Sequence, residues 1–499
     1  MNDEKQTAIS HWPISILNGI SALIGLVLPM FMSRIVSGNE IGKYKIMFLY
    51  LAMIPALSFS GGIENGLYYW TGLLHKAKEK VRGAWSMAII QSVIFFIVVI
   101  IFSPIIRPWL NWSWDQYISV SIAGLTVVLA SMYESILIAR KKIWSGAIFS
   151  AIFNTINTIT ILVTIIIFKS AVMIVWAYAI TMMLKIAASY YLGVKEGWVP
   201  VGLDLKEARS VLKYYFPVST SGIFDFLMNN SDRFLLSILI SPVQYAGYMF
   251  GCLSIPPLQI LESSVNRVMI PQLATAIERN DKLQAAHLYR FGLEQIMLIF
   301  IPSFVGLFVF AEPIITLLFT EKYITSVPYL RFYSMWILLS GIPYDVAARA
   351  SGNGKWILKN TIKMGSFSLI LCSLLAWKFG PYGALIAMII TLLVQKFLGF
   401  NLMLKTYEWS LKEMIPVKSL FLYSGLAGSL GIASILLKNY FNSRLIWFAY
   451  CGIPFALVYL GTIFFLQKNL LGDLPFFQKM INYFMNKKRL LANAILNNT

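Results

Sequence analysis

Apolar segments of about 20 residues recur along the whole chain, and this repetition constrains the fold more than any other feature. A helix of that length crosses the hydrocarbon core of a bilayer. In lipid the backbone polar groups must be paired within the segment, so these segments are expected to be transmembrane helices. Fourteen segments qualify, with approximate limits at residues 12–35, 45–70, 85–106, 117–139, 144–168, 171–194, 214–239, 243–269, 290–319, 328–350, 356–378, 382–404, 416–437 and 445–467.

The composition excludes a soluble, nucleic-acid-binding protein, although the net charge of +19 would suit one. Hydrophobic residues make up 58% and charged residues only 13% of the sequence, whereas about a quarter of the residues in soluble domains are charged. Disordered chains and nucleic-acid binders need far more charge than this. The sequence therefore predicts an all-α polytopic membrane protein that binds no nucleic acid.

The basic residues are distributed unevenly between the two ends of the predicted helices. The end that carries both termini has 28 of the 41 Lys and Arg residues, and the opposite end has ten. Cytoplasmic loops of membrane proteins carry the Lys and Arg excess. We therefore expect a multi-pass protein of a bacterial cytoplasmic (inner) membrane with both termini in the cytoplasm. Basic residues near the ends of spans are counted with the loops, and three remain in the interior of the predicted spans: Lys185, Arg233 and Lys396.

Two turns in the sequence indicate an internal repeat. Residues 37–44, after the first span, and 241–248, after the seventh, both begin with Ser, end with Tyr and lead into a segment containing proline. The spacing predicts two six-helix bundles in the same orientation, followed by two additional helices and a basic tail lying on the inner leaflet. Transporters are often built from such repeats. The predicted units are residues 1–200, 201–405, 406–467 and 468–499.

Polar and ionisable residues inside the spans are the candidate functional groups, because each costs about 2.5–3.5 kcal/mol at the centre of a membrane. On the seventh span Gly222, Asp225, Asn229 and Asp232 follow a spacing that places them on one helical face. The predicted substrate path comprises Arg34, Lys185, Arg233, Arg267, Lys396, Asn154, Asn157 and Asn229, and its basic members suit an anion. The predicted ion-coupling residues are Asp225, Asp232, Glu262 and Glu64.

Structural roles compete with these functional ones. Asp232 and Arg233 are adjacent and near the end of their span, so they are equally explained as an ion pair that joins helices. Glu64 and Arg267 lie within about two turns of the cytoplasmic end, where charged side chains snorkel to the interface. The three Cys lie in apolar runs, the three His are scattered and no nucleotide-binding motif occurs. We therefore expect no metal, no cofactor and no enzymatic activity.

The sequence resembles polysaccharide exporters, the O-antigen and lipid-linked oligosaccharide flippases of the multidrug/oligosaccharidyl-lipid/polysaccharide superfamily. The resemblance covers the layout of roughly residues 10–405. It is carried by Arg34 with residues 40–44, and by residues 212–217, 232–236, 245–248 and 271–273. It implies a V-shaped lumen between two bundles and alternating access. The implied substrate is a polyprenyl-pyrophosphate-linked oligosaccharide, carried to the outer leaflet by the membrane potential or an H⁺ or Na⁺ gradient. Asp225 and Asn229 have no counterpart in the family pattern.

Other functions remain open at the level of the sequence. Flippases of lipid-linked peptidoglycan precursors also have fourteen spans, and cation-coupled multidrug exporters share the fold. A multidrug exporter favours an acidic, aromatic lumen, which the basic residues within the spans argue against. A polysaccharide polymerase generally needs a large external loop, and no such loop is predicted. Expected partners are membrane lipids and the glycosyltransferases and polymerase of the same pathway.

Overall fold

The computed structural model describes residues 27–58, 61–71 and 77–470, and within these ranges the chain is helical with no strand. Residues 27–35 are helical. The helices that follow are α1 (Gly38–Leu57), α2 (Gly61–Thr71), α3 (Ala77–Ile101), α4 (Ser103–Trp109), α5 (Trp114–Val127), α6 (Leu129–Ala139), α7 (Ile143–Phe168), α8 (Ala171–Lys195), α9 (Leu205–Leu239), α10 (Pro242–Gly251), α11 (Pro256–Glu278), α12 (Lys282–Val309), α13 (Ala311–Phe319), α14 (Val327–Ser340), α15 (Val346–Ala350), α16 (Gly354–Lys405), α17 (Leu411–Met414), α18 (Val417–Leu437), α19 (Arg444–Trp447) and α20 (Ile453–Leu470).

The predicted fold class is confirmed. Among the described residues, eight helical segments are long and apolar enough to cross a membrane. The turns at 140–142, 196–204 and 279–281 lie at one end of the molecule, which we call the basic face. The turns at 110–113, 169–170 and 240–241 lie at the other end, the opposite face. The predicted tail at 468–499 lies almost entirely outside the described residues.

Helix α16 is two predicted spans joined by a tight reversal. Its 52 residues would extend about 78 Å if straight, more than twice the thickness of a bilayer core. Gly380 has φ +58° and ψ −140°, a backbone conformation that is readily accessible only to glycine. A Cβ on Gly383 would lie 1.9 Å from the carbonyl oxygen of Leu375. The chain therefore folds back at Gly380, between the predicted spans 356–378 and 382–404.

Two predicted spans are broken inside the molecule. The predicted span 243–269 becomes α10 and α11, with residues 252–255 non-helical before Pro256 and Pro257. Because proline has no N–H, it starts a helix readily and does not continue one. The predicted span 328–350 was wrong as a continuous helix: α14 ends at Ser340 and α15 begins at Val346. Pro343 lies in that second break.

The two turns of the predicted repeat are locally alike and contact each other. Ser37 caps α1 by accepting a hydrogen bond from the Glu40 N–H, and Ser241 caps α10 in the same way from the Gln244 N–H. A Cβ on Gly42 would lie 1.8 Å from the carbonyl oxygen of Pro242. The absence of a side chain at Gly42 is thus what allows α1 and α10 to meet at the opposite face.

Candidate transport cavity

A cavity of about 350 Å³ lies among the helices of the second half of the chain, residues 201–405. Both broken spans contribute to its wall, through residues 253–255 and Ser340. Non-helical backbone at membrane depth is tolerated where it lines a cavity or is buried in protein, and discontinuous helices often form transporter binding sites. The polar lining comprises Asp225, Asn229, Ser254, Gln259, Glu262, Ser340, Gln395 and Lys396, and the aromatic lining comprises Phe300, Tyr333, Trp336 and Tyr344.

Helix α9 supplies the acidic group at one side of the cavity. Asp225 and Asn229 are one turn apart and point the same way, as the sequence spacing predicts. The Asn229 amide donates to the Asp225 carbonyl oxygen at 2.9 Å and to its carboxylate Oδ1 at 3.3 Å. Both side chains are exposed. Asp225 forms no ion pair with any described residue, so its carboxylate is free to take a proton or a cation.

Helix α11 supplies the second carboxylate. Glu262 is half-buried and accepts a hydrogen bond from the Asn266 amide at 3.3 Å. It too forms no ion pair with any basic group in the described part of the chain. The cavity therefore combines two carboxylates from different helices, each held by an asparagine one turn further along the same helix.

Lys396 enters the cavity from α16 and is 7% exposed. Its ammonium group donates to the backbone oxygens of Ser340 (3.2 Å) and Ile342 (2.6 Å). It also lies 4.9 Å from the centre of the Tyr344 ring. The two carbonyls belong to the break after α14, where the end of a helix leaves backbone oxygens unpaired. Lys396 thus stabilises the break, and it forms no ion pair with a carboxylate of the described residues.

Asp232 and Arg233 lie two turns further along α9, towards the opposite face. Asp232 is fully buried and accepts a 2.6 Å hydrogen bond from the Tyr248 hydroxyl, while its Oδ1 has no partner. Arg233 donates to Asn230 at 3.3 Å, and its Nε is buried without a partner. No N–O distance of 4 Å or less joins the two charged groups. Their contacts run to neighbouring polar residues, and Arg233 also interacts with Tyr333, which lines the cavity, so this polar cluster adjoins the cavity.

Lys185 lies apart from all of these residues. It is 5% exposed and forms a 2.7 Å ion pair with Glu134, which joins α8 to α6 within the first half of the chain. In the sequence, Lys185 has no carboxylate in its own helix. The structure places its partner 51 residues earlier, on a neighbouring helix.

The remaining predicted site residues are scattered. Arg34 donates to the Leu317 and Leu318 carbonyls at the end of α13, at 2.8 and 2.9 Å, and so joins the two halves. Arg267 is exposed on α11. Asn154 is exposed on α7, and Asn157 on the same helix has a buried Oδ1 without a partner. The side chain of Glu64 lies outside the described residues.

Helix α9 contacts the first half of the chain near both of its ends. Near the basic face Lys80 pairs with Glu207 at 3.0 Å, and the Gln91 amide donates to the Tyr215 hydroxyl at 2.8 Å. Near the opposite face the Tyr50 and Ser237 hydroxyls lie 3.2 Å apart. Between these contacts Asp225 and Asn229 are exposed, and no heavy atom lies within 4 Å of a Cβ built on Gly222. The polar middle of α9 therefore faces open space that is closed at both ends.

Two parts of this arrangement were not predicted from the sequence. The second break was missed, although Gly341 and Pro343 are a breaker signal close enough to indicate it. The aromatic lining of the cavity comes from α12, α14 and the break itself, which no local pattern brings together.

The fold defines a class: a polytopic α-helical membrane protein whose fold is similar to that of the lipid II flippase MurJ and of a multidrug MATE transporter. The chain belongs to the family described as "Polysaccharide biosynthesis protein", whose model matches residues 31–328. This confirms the resemblance that the motifs indicated.

Individual relatives agree with this assignment. An uncharacterized membrane protein in the cps region of Klebsiella pneumoniae is 21% identical over 397 residues, covering 77% of this chain and 79% of the relative. The lipid II flippase MurJ, in an inward closed conformation, is 18% identical with a TM-score of 0.72, covering 92% of this chain and 99% of its own. An inward-facing multidrug MATE transporter is 14% identical with a TM-score of 0.63, covering 80% and 98%.

Proposed function

We propose that the protein moves a polyprenyl-pyrophosphate-linked oligosaccharide across the inner membrane, from the cytoplasmic to the outer leaflet, by alternating access. In this proposal the basic face is cytoplasmic and the protein transports without catalysing a reaction. The observation that carries the proposal is the geometry of α9. Its ends are closed against the first half of the chain, while its polar middle borders open space and a polar cavity.

Alternating access requires contacts that break at one end while those at the other end persist. The contacts at the basic face include a partly exposed ion pair, Lys80–Glu207, and such pairs contribute about 1 kcal/mol or less. They also include a close backbone approach, since a Cβ on Gly83 would lie 2.5 Å from the Glu207 carbonyl carbon. At the opposite face Gly42 approaches Pro242 in a similar way. Entry of cargo from the basic face therefore requires α3 and α9 to separate at Gly83.

The cavity supplies a place for a coupling ion. Asp225 and Glu262 face one space with Lys396, so binding a proton or a monovalent cation changes the net charge of that space by one unit. Outward movement of a pyrophosphate is also favoured by an inside-negative potential, by about 2.3 kcal/mol per charge per 100 mV. We infer that a proton or a cation binds to Asp225 or Glu262 while the anionic cargo moves.

Deletion of the gene tests the proposal directly. The expected result is accumulation of a lipid-linked oligosaccharide in the inner leaflet and loss of surface polysaccharide, restored by the wild-type gene. Asp225→Asn is expected to restore export poorly. Asp115→Asn, which removes an exposed carboxylate at the opposite face, serves as the matched control and is expected to restore it fully. Normal export in the deletion strain would overturn the proposal.

A second candidate function, export of cationic drugs, is favoured by the lining of the cavity. Two carboxylates and four aromatic rings are a lining that suits an organic cation, since aromatic faces and carboxylates both attract positive charge. Drug susceptibility of the deletion strain separates the two candidates: increased sensitivity to cationic dyes with normal surface polysaccharide would select the multidrug exporter. A third outcome, accumulation of peptidoglycan precursor, would select the related flippase function.

A further inference from the structure

Two basic side chains of α3 converge on one turn at the basic face. Gly197, which follows α8, has φ +74°. A Cβ at Gly197 would lie 3.8 Å from both the Lys78 Nζ and the Arg82 Nη2. Lys78 and Arg82 are one helical turn apart, so they present both charges on the same side of α3. The glycine leaves the space between the two cations without a side chain.

A tryptophan and a third cation complete the cluster. The Trp198 ring has the Arg140 guanidinium 4.6 Å from its centre and the Lys78 ammonium at 5.8 Å. The cluster formed by Lys78, Arg82, Arg140 and Trp198 is called the basic cluster below. Its side chains come from α3, from the turn after α6 and from the turn after α8, so it is a product of the tertiary structure.

The nearby carboxylate of Glu196 already forms ion pairs. Glu196 pairs with Arg140 and, at 3.4 Å, with Lys142. Neither Lys78 nor Arg82 forms an ion pair with any residue in the described ranges, and the Arg82 Nε is buried without a partner. Lys78 is exposed and Arg82 is half-buried, and holding two like charges together is unfavourable unless an anion is bound between them. The basic cluster therefore has the character of an anion site.

The surroundings indicate where the anion comes from. The end of α8, the connection to α9 and the start of α9 expose large apolar side chains close to Trp198 in the sequence: Tyr191 is 67%, Val201 82% and Leu205 65% exposed. Apolar groups in this position, next to tryptophan and basic residues, are typical of the level of lipid headgroups. The anion thus reaches the cluster while its acyl or prenyl chain lies beside these residues in the bilayer.

We propose that the basic cluster binds the phosphate or pyrophosphate headgroup of a membrane lipid at the basic face, with Lys78 and Arg82 as direct ligands and Arg140 and Trp198 as supporting groups. Two sources share this chemistry, an anionic phospholipid and a polyprenyl pyrophosphate. The site is separate from the cavity between α9 and α16, and it binds a lipid whether or not that lipid is transported.

Lipid binding to the purified full-length protein tests the proposal without a transport assay. The protein in detergent is titrated with phosphatidylglycerol and, separately, with undecaprenyl pyrophosphate, and the bound lipid is counted by native mass spectrometry. Lys78→Gln/Arg82→Gln is expected to weaken binding by about tenfold or more, as expected for the loss of charge-assisted contacts. Lys195→Gln, which removes an exposed charge from the same face, is the matched control and is expected to bind as the wild type does.

The two lipids distinguish the sources. Weakened binding of undecaprenyl pyrophosphate alone identifies a headgroup site for a carrier lipid, and weakened binding of phosphatidylglycerol alone identifies a phospholipid site. Weakened binding of both supports the shared phosphate chemistry. Unchanged binding of both lipids by the double variant, with an unchanged melting temperature, would overturn the proposal. If the double variant is unstable, Lys78→Gln alone, which removes an exposed charge, provides the same comparison.

Discussion

Lys185 and Lys396 are two buried lysines in different halves of the chain, and they are stabilised in different ways. Their exposures are 5% and 7%. Lys185 is paired with Glu134 at 2.7 Å, so the pair has no net charge. Lys396 donates to two backbone oxygens of a broken helix. Carbonyl dipoles stabilise the ammonium group without neutralising it, so of these two lysines only Lys396 brings an unpaired positive charge to the cavity, where it faces Asp225 and Glu262.

The comparison shows why a basic residue in a predicted span is not in itself evidence of an anion path. A lysine with a carboxylate partner fixes two helices together. A lysine held by carbonyls both caps a helix end and keeps its charge available. Lys80, at the contact between the two halves, is a third kind, because its partner Glu207 is on a helix that moves in the proposed alternating access.

Lys185→Met is expected to have the largest effect on stability. It leaves Glu134 without its partner in the membrane, and breaking a buried ion pair costs about 3–5 kcal/mol. The melting temperature of the purified protein should fall strongly. Lys185→Met/Glu134→Gln should recover most of the loss, because no unpaired charge remains. A double variant as unstable as the single one would contradict the description of this pair as structural.

Lys396→Met should cost less stability and more transport. Its partners are uncharged backbone oxygens beside a cavity, so its removal leaves no unpaired buried charge, unlike the removal of Lys185. Removing the positive charge from the cavity should reduce export of the proposed anionic cargo at normal protein levels. Export per folded molecule is the measurement to compare with Lys185→Met/Glu134→Gln. Equal export by the two variants would remove the distinction between the lysines.

Tyr248→Phe is expected to destabilise the protein by about 1–3 kcal/mol. The change removes the 2.6 Å hydrogen bond to the fully buried carboxylate of Asp232, and leaving a buried acceptor unsatisfied has a cost of this size. Thermal unfolding is the measurement. The matched control is Tyr440→Phe, an exposed tyrosine, which should leave the melting temperature unchanged.

Lys80→Gln should have the smallest effect on stability, about 1 kcal/mol or less, because its ion pair is partly exposed. Its effect on conformation should be larger. The variant is expected to increase the labelling of a cysteine introduced at Asn229 by a reagent added from the basic face. Lys43→Gln, which breaks the ion pair with Glu40 within one helix, is the control. Equal labelling in both variants would show that the Lys80 contact does not hold that end closed.

Much of the fold follows from local patterns. The apolar segments, the capping serines Ser37 and Ser241 and the Pro256–Pro257 break are properties of neighbouring residues, so they can be recognised in the sequence. The spacing of Asp225 and Asn229 on one face is equally local. The second break near Pro343 was missed because the hydropathy of its flanks matches a continuous span.

The candidate site was less accessible to prediction. Asp225, Asn229, Glu262 and Lys396 were all predicted, and the structure brings these four to one cavity. Lys185 and Arg34 were predicted with them, yet they lie elsewhere. The four cavity residues differ from Lys185 and Arg34 in the groups that they contact. Those groups lie on distant helices, so no local sequence pattern indicates them.

The sequence by itself determined that the chain is helical, that it belongs in a membrane and that its basic residues mark one face, because hydrophobicity, helical periodicity and charge bias are properties of single segments. Only the tertiary structure decided which buried charges are neutralised. That outcome depends on whether groups such as the Glu134 carboxylate or the Ile342 carbonyl lie within hydrogen-bonding distance. These groups are far along the chain or on another element, and a linear pattern does not specify distances between helices.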